Sequence, residues 1–221
     1  MSVTQAGHGA FVRDWARTAL AALGEARAEI DALNVFPVPD GDTGTNVFLT
    51  MESACDGIDE ALAAEPTRAA AARGLARGSL LGARGNSGVI LSQILRGTAD
   101  VIASIPSERE LTGGDVAAML DRAADLAYAA VARPVEGTIL TVAREAAAAA
   151  RGCAEDSIEA VVSAASRGAA DALARTPSML EALRVAGVVD AGGRALCVVL
   201  DALTDVVTGV RRPTAPRVPV P

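Results

Sequence analysis

Two carboxylates one residue apart stand in a proline- and glycine-rich stretch, Asn34-Val35-Phe36-Pro37-Val38-Pro39-Asp40-Gly41-Asp42-Thr43-Gly44-Thr45-Asn46. The prolines prevent a helix from running through residues 35–39, so the chain must bend there. Glycines let the next residues curl, and Asp40 and Asp42 can then converge on one hard cation. An apolar run with helical spacing follows, which places this turn at a helix N-terminus, where unpaired N–H groups favour phosphate. The stretch therefore predicts a metal-bridged phosphate site.

Two other interpretations of this stretch compete with a phosphate site. A proline, an aspartate and a glycine in succession are typical of an ordinary turn, and aspartate or threonine before a helix is an ordinary cap. An EF-hand calcium loop would use Asp40 and Asp42 as its first and third positions. The later positions exclude it, because Gly44, Thr45 and Met51 stand at positions five, six and twelve.

A second glycine-rich turn, Gly82-Ala83-Arg84-Gly85-Asn86-Ser87-Gly88, precedes the apolar run from Val89. Glycines around Asn86 and Ser87 at a helix start can form a concave set of N–H donors for phosphate oxygens. A dinucleotide-binding pattern is excluded because no strand precedes it. A tight turn between helices, with Ser87 as the cap, is the alternative.

Composition narrows the class of protein. The 221 residues are 51% hydrophobic, enough for one substantial core. All twenty basic residues are arginine, so a P-loop lysine and a Schiff-base lysine are excluded. The net charge of −7 argues against a nucleic-acid partner.

Three distant cysteines indicate a reducing compartment, and with no signal pattern or apolar stretch of membrane-spanning length we expect a cytoplasmic protein. His8, the only histidine, is interpreted as a solvated residue near the terminus.

Periodicity and capping signals predict an all-α fold of eight or nine helices, without a convincing strand pair. We expect residues 1–210 to form one domain and the proline-rich residues 211–221 to be an extended linker to a following region. The first four predicted helices are residues 9–32, residues 43–63, a third capped by Thr67 and a fourth that begins at the second glycine-rich turn. The others are one opened by Thr112, one begun at Gly137 and Thr138, residues 156–175, a short helix over 177–186 with proline near its start, and residues 194–210.

Glycine recurs every fourth residue in the third predicted helix, at Gly74, Gly78 and Gly82. This spacing leaves one helical face without side chains, so another backbone can approach it. Arg73 and Arg77 exclude burial of the face in a membrane. The stripe is predicted to be either a helix contact or a ligand-facing surface.

The glycine-rich turns all fall between predicted helices. If consecutive helices run antiparallel, the turns before the second, fourth, sixth and last long helices lie at the same end of the molecule. These turns carry Asp40 and Asp42, the Gly85–Ser87 run, Thr138, and Asp190 with Gly192. An all-α bundle or helical barrel, with these turns forming a cup at one rim, is therefore expected.

Four stretches together resemble a known family: residues 34–46, 83–93 (Ala-Arg-Gly-Asn-Ser-Gly-Val-Ile-Leu-Ser-Gln), 134–142 (Pro-Val-Glu-Gly-Thr-Ile-Leu-Thr-Val) and 188–193 (Val-Val-Asp-Ala-Gly-Gly). The family is the N-terminal kinase domain of the bacterial fatty acid kinase ATP-binding subunit, related to the L subunit of dihydroxyacetone kinase. The resemblance implies an eight-helix barrel whose rim binds ATP, and ADP after transfer, through two Mg²⁺ ions.

The resemblance also implies roles for individual residues. Asp40 and Asp42 would be Mg²⁺ ligands and catalytic residues, and Asn34 takes the place of a third carboxylate, offset by one residue. Arg84 is our candidate for extra charge stabilisation during transfer. The residues expected to contact the nucleotide are Thr43, Gly44, Thr45, Asn46, Gly85, Asn86, Ser87, Thr138, Asp190 and Gly192.

The activity implied by the resemblance is phosphoryl transfer to a fatty acid carboxylate, giving an acyl phosphate. An ionised carboxylate needs no general base, which suits a chain without a credible catalytic histidine. By resemblance a separate fatty-acid-binding subunit presents the acceptor, and a homodimer is left open. Two alternatives remain: a nucleotide-binding subunit of dihydroxyacetone kinase, and a non-catalytic nucleotide-binding module.

Overall fold

A computed structural model describes residues 9–210, and this part of the chain contains nine α-helices and no β-strand. Eight of the helices have 13 residues or more and α8 has six. The all-α prediction is confirmed. The helices are α1 (Ala10–Ala32), α2 (Thr43–Ala64), α3 (Arg68–Leu81), α4 (Gly85–Ser104), α5 (Gly113–Ala129), α6 (Ile139–Arg151), α7 (Ile158–Met179), α8 (Glu181–Ala186) and α9 (Ala191–Thr208).

The eight long helices form a closed ring. Each packs on the next along the chain from α1 to α7, α9 packs on α7, and α9 also packs on α1. A buried ion pair joins the two ends of the ring, since the Arg194 guanidinium on α9 donates to Glu29 on α1 at 2.8 and 3.2 Å. The Trp15 indole N–H adds a 3.1 Å hydrogen bond to the Val199 carbonyl. The predicted eight-helix barrel is confirmed.

Small aliphatic side chains fill the interior of the barrel. Alanines from all eight long helices are buried beside leucine, isoleucine and valine, so the helices can approach closely. An interior cavity near Trp15 and Leu200 has a volume of about 30 Å³, room for roughly one water molecule. The centre of the barrel is therefore a packed core.

The glycine stripe of α3 is a helix contact, one of its two predicted roles. A Cβ atom on Gly74 would lie 2.4 Å from the Gly57 carbonyl oxygen, and one on Gly78 would lie 2.3 Å from the Ser53 carbonyl oxygen. Side chains there would force α2 and α3 apart. The stripe thus sets the distance between the two helices that flank the acidic turn and the second glycine turn.

One predicted helix boundary is wrong because Pro177 lies inside α7, which runs on to Met179. Proline lacks the N–H that would bind the carbonyl four residues earlier, that of Leu173. The Thr176 hydroxyl donates to this same carbonyl at 2.7 Å, so the carbonyl keeps a partner and the helix continues. The short helix begins only at Glu181.

The last long helix begins at Ala191, three residues before the predicted start. The Asp190 carboxylate accepts from the Gly193 N–H at 2.7 Å and caps the helix, so the glycine pair belongs to its first turn. The predictions on His8 and on the 211–221 linker lie outside the described residues. Within residues 9–210, no helix is both long enough and apolar enough to cross a membrane.

Candidate functional site

A cleft of about 690 Å³ opens at one end of the barrel, where the N-terminal ends of α2, α4, α6 and α9 meet. The prediction that the four turns share one rim is confirmed. The predicted site residues that line the cleft are Asn34, Asp40, Asp42, Thr43, Asn46, Gly85, Asn86, Ser87, Thr138, Asp190 and Gly192. Four helix N-termini at one cleft concentrate N–H donors and positive dipole ends, an environment that favours anions.

The cleft also carries two solvent-accessible carboxylates, Asp40 and Asp42. Asp42 is the N-cap residue of α2, yet its side chain makes no capping hydrogen bond. Within residues 9–210 there is no cluster of three histidine, cysteine or acidic side chains that could hold a metal ion. A divalent cation here would therefore have two carboxylates from the protein and would draw its remaining ligands from elsewhere, as Mg²⁺ does with water and substrate phosphates.

Asn34 is buried beneath the acidic turn and uses both ends of its amide. Its NH₂ group donates to the Val38 carbonyl at 2.6 Å and to the Asp40 carboxylate at 3.2 Å, while its oxygen accepts from the Thr43 hydroxyl. These bonds fix the turn between α1 and α2 and hold Asp40 in one orientation. Sequence reasoning placed Asn34 as a metal ligand, and the geometry shows it bound to Asp40.

Gly44 and Thr45 face α1 and are not among the residues that line the cleft. A Cβ atom on Gly44 would lie 2.3 Å from the Arg27 carbonyl oxygen, so glycine allows α2 to start against α1. The N–H and hydroxyl of Thr45 donate to the Asp31 carboxylate at 3.0 and 2.9 Å. The Arg27 side chain donates to the Thr45 hydroxyl at 2.9 Å. Asp31 is a residue that sequence reasoning missed.

The first turn of α4 forms another wall of the cleft. Its N-cap residue is Arg84, which provides no side-chain capping bond, so Ser87 is not the cap and Gly85–Ser87 are the first helical residues. Gly85 has a φ of +57°, and a Cβ atom there would lie 2.4 Å from the amide nitrogen of Asn46. A glycine is thus required for this turn to close against α2. The uncapped N–H groups of the α4 N-terminus are available to an anion.

The start of α6 and the start of α9 are joined by Asp190, which is 6% exposed. Its carboxylate accepts from the Gly193 N–H, and its own N–H donates to the Thr176 hydroxyl at 3.1 Å. Burial raises the pKa of Asp190 to about 6, opposed by hydrogen bonds from the main-chain N–H groups of Gly193 and Ile139. Thr138 caps α6. Asp190 therefore holds the N-terminal ends of α6 and α9 together at the cleft.

The arginine that lines the cleft is Arg133, and not Arg84, which the sequence analysis selected. Arg84 does not line the cleft and instead borders a surface groove between α2 and α3. Arg133, in the loop between α5 and α6, is the only basic residue among the described residues of the cleft lining. In the sequence Arg133 directly precedes Pro134, a position typical of a helix end rather than of a binding site. The cleft lining therefore carries one positively charged side chain, Arg133, besides its aspartates.

The same loop supplies an apolar wall that was also missed. The apolar lining residues come from this loop, from the first turns of α4 and α6, and from the bend before the acidic turn: Phe36, Pro37, Val38, Val89, Ile90, Ala130, Val131, Ala132, Val135, Ile139 and Leu140. An apolar surface beside a polar rim is the usual composition of a small-molecule site. The cleft can therefore hold a ligand with one flat apolar part and one anionic part.

A hydrogen-bonded cluster around Glu136 fixes the loop. The Arg144 guanidinium on α6 donates to both Glu136 oxygens at 2.7 Å, and the Thr141 hydroxyl donates at 2.6 Å. The Tyr128 hydroxyl on α5 lies 3.2 Å from the same carboxylate. These donors, Arg144 first, lower the pKa of Glu136 to about 2. The loop that carries Arg133 is thereby fastened to both flanking helices.

Fold and cleft together define an all-α barrel protein whose rim cleft brings together four helix N-termini and two carboxylates. Residues 37–205 match the DAK2 domain, so the chain belongs to the DAK2 domain family. It is 45% identical over 181 residues to protein YloV of Bacillus subtilis and 43% identical over 183 residues to an uncharacterised protein of Staphylococcus aureus USA300. Each alignment covers 81% of this chain and 32% of the relative, so the chain spans about a third of their length.

Two solved structures share the fold. The dihydroxyacetone kinase of C. freundii in complex with AMP-PNP and Mg²⁺ superimposes with a TM-score of 0.60 at 19% sequence identity, covering 89% of this chain and 34% of that one. The native form of that enzyme gives a TM-score of 0.61 at 18% identity. At these identities the likeness establishes the DhaL-like fold of the chain.

Proposed function

We propose that the chain is a Mg²⁺-dependent kinase domain that binds ATP in the rim cleft and transfers its γ-phosphoryl group to a fatty acid carboxylate held by a separate lipid-binding protein. One observation carries this proposal: four helix N-termini converge on a cleft that also presents two solvent-accessible carboxylates, the exposed Asp40 and the half-buried Asp42. N–H donors without carboxylates would suit a simple anion. Carboxylates beside them repel an anion unless a divalent cation lies between.

The residues present fit two Mg²⁺ ions bound together with a triphosphate. Asp40 and Asp42 offer hard oxygen ligands, and phosphate oxygens complete coordination that two carboxylates leave open. Bound Mg²⁺ would neutralise charge on the transferring phosphoryl group. Asn34 orients Asp40 through its NH₂ group, so we assign Asn34 a positioning role beside the metal. Thr43, Asn46 and the first turn of α4 would contact the phosphates.

Arg133 takes over the role first given to Arg84. It lines the cleft, and its guanidinium has no acidic partner within 4.0 Å among the described residues, whereas most of the described arginines have one. An arginine free of ion pairs can bind phosphate oxygens or compensate for charge that develops during transfer. The apolar wall around Val131 would contact the nucleotide base.

The acceptor must come from outside the barrel. The interior cavity of about 30 Å³ holds about one water and cannot accommodate an acyl chain. A carboxylate nucleophile is already ionised at neutral pH and needs no general base. The cleft lining contains no histidine among the described residues. Both observations favour an acyl chain that stays in a partner protein while its carboxylate reaches the cleft.

The proposal is tested by a transfer assay, run once with a full-length relative such as YloV and once with this chain alone. ATP, Mg²⁺ and a fatty acid loaded on a lipid-binding protein are incubated with each, and acyl phosphate is trapped by hydroxylamine as the hydroxamate. We expect hydroxamate only with ATP, Mg²⁺ and the loaded carrier present together. Its absence with both proteins, while Mg-ATP binding is normal, would contradict fatty acid as the acceptor.

A second candidate acceptor is dihydroxyacetone, favoured by the structural likeness to dihydroxyacetone kinase. The same assay with dihydroxyacetone and its binding subunit separates the two, because the product is then a stable phosphate ester that hydroxylamine does not trap. A third possibility, a nucleotide-binding module without turnover, predicts Mg-ATP binding and no product with either acceptor.

A further inference from the structure

The N-terminus of α2 is capped by a residue of another helix. Asp42 occupies the N-cap position, where an aspartate normally accepts a hydrogen bond from the N–H two or three residues on. The N–H three residues on is that of Thr45, and it donates instead to the Asp31 carboxylate on α1 at 3.0 Å. Asp42 consequently makes no capping bond and lines the cleft.

Asp31 is held in this position by a second set of contacts. Its other carboxylate oxygen accepts from the Thr45 hydroxyl at 2.9 Å, and that hydroxyl accepts from the Arg27 side chain at 2.9 Å. Arg27 and Asp31 lie one turn apart on α1, so both project from the same face toward the start of α2. Gly44 has no side chain to separate the two helices there.

The location of Asp31 is otherwise unfavourable. It lies in the last turn of α1, where the negative end of the helix dipole opposes a carboxylate. The N-terminus of α2 offsets this because its N–H groups and positive dipole end face the same carboxylate. Asp31 therefore accepts the N–H at the start of α2, and the Asp42 side chain makes no capping bond there.

We propose that Asp31 is a positioning residue for the metal site: it occupies the Thr45 N–H that Asp42 would otherwise take, and so keeps the Asp42 carboxylate directed into the cleft. This inference rests on the proposed function, in which Asp42 is a Mg²⁺ ligand. Without Asp31, the Asp42 carboxylate turns back to cap its own helix and is withdrawn from the cation. Asp31 itself does not touch the metal or the nucleotide.

The test compares Asp31→Ala with Asp31→Asn by calorimetric titration of Mg-ATP. Alanine removes both the acceptor and the charge, whereas asparagine removes the charge and keeps an oxygen for the Thr45 N–H. We expect Asp31→Ala to weaken Mg-ATP binding by about 10-fold or more, the usual effect of losing a group that orients a metal ligand. Asp31→Asn should recover most of the affinity.

Ser157→Ala is the matched control, because Ser157 caps α7 by accepting from the Ala160 N–H at 3.1 Å and does not line the cleft. It should lower the midpoint of thermal unfolding, as Asp31→Ala does, without changing Mg-ATP affinity. Circular dichroism establishes that each variant is folded.

Three results would overturn the inference. Unchanged affinity in Asp31→Ala means that Asp42 does not need a substitute cap. Equal losses in Asp31→Ala and Asp31→Asn mean that Asp31 acts through its charge. A Ser157→Ala loss as large as that of Asp31→Ala means that general destabilisation is responsible. If Asp40→Ala also binds Mg-ATP normally, the proposed function fails with it; if Asp40→Ala abolishes binding while Asp31→Ala does not change it, only the positioning role fails.

Discussion

Residues of the same type have different structural roles at the rim of the cleft. Asp31, Asp40, Asp42 and Asp190 are all aspartates near one rim, yet one caps α2 from α1, two are exposed to the cleft and one is buried and caps α9. The sequence predicted the exposed pair because glycine and proline surround it. It could not predict Asp31, since a cap supplied by another helix leaves no local pattern.

Gly85 is the residue at which a small change should affect binding most cleanly. In Gly85→Ala the new Cβ meets Asn46, and the left-handed backbone costs roughly 1–2 kcal/mol in stability. We expect at least a several-fold loss of Mg-ATP affinity, measured by calorimetry. Gly187→Ala is the control, because Gly187 also has a positive φ of 69° but would bring its Cβ within 4 Å of nothing. Equal affinities in the two variants would reject the α4 turn as a phosphate contact.

The assignment of charge stabilisation to Arg133 leads to a direct comparison with Arg84. Arg133→Ala should weaken Mg-ATP binding about 10-fold, the effect of one charge-assisted contact to phosphate, about 1.4 kcal/mol. Arg84→Ala should change it by less than about twofold, because Arg84 borders a different groove. Equilibrium titration of both variants decides the matter. The reverse order of effects would return the role to Arg84.

At the level of the elements, the sequence predicted helix positions well where caps and breakers are local. Thr67, Thr112 and Thr138 cap the helices that they were expected to open. The error at Pro177 has a non-obvious cause, because the Thr176 hydroxyl compensates for the missing N–H. The attachment of the loop between α5 and α6 was not predicted, since Tyr128 and Arg144, which hold it, lie 16 residues apart in sequence and on two different helices.

The Glu136 cluster predicts how the attachment of this loop depends on pH. The pKa of Glu136 is lowered from 4.5 to about 2, so its stabilising contribution is present above pH 4.5 and is lost as the pH falls toward 2. Because the side chain is 51% exposed, we expect the contribution to be on the order of 1 kcal/mol. The free energy of urea unfolding of wild type minus Glu136→Gln should therefore shrink between pH 5 and pH 3.

The control for this pH dependence is Glu108→Gln, at an exposed glutamate between α4 and α5. Its difference from wild type should stay nearly constant over the same range. A Glu136→Gln difference that does not vary with pH would show that the carboxylate is not stabilised by Arg144 and Thr141 in solution.

For the molecule as a whole, the shared rim follows from the sequence, because consecutive antiparallel helices place every second turn at the same end. The four glycine-rich turns therefore predict a shared cleft from the sequence alone. The closure of the ring was not predictable, since Glu29 and Arg194 are 165 residues apart and each resembles an ordinary charged helix residue in sequence. The apolar wall was missed for the same reason, because its residues come from separate turns.

The central claim is that Asp40 and Asp42 anchor a triphosphate through Mg²⁺ in the rim cleft. The most direct measurement is calorimetric titration of the chain with ATP in the presence and absence of Mg²⁺, repeated with Asp40→Ala, Asp42→Ala and the distant surface control Asp100→Ala. We predict binding by wild type and Asp100→Ala only when Mg²⁺ is present, and none by the other two variants, with helical content unchanged by circular dichroism. Binding of ATP without Mg²⁺, or normal Mg-ATP binding by either Asp40→Ala or Asp42→Ala, would contradict the account.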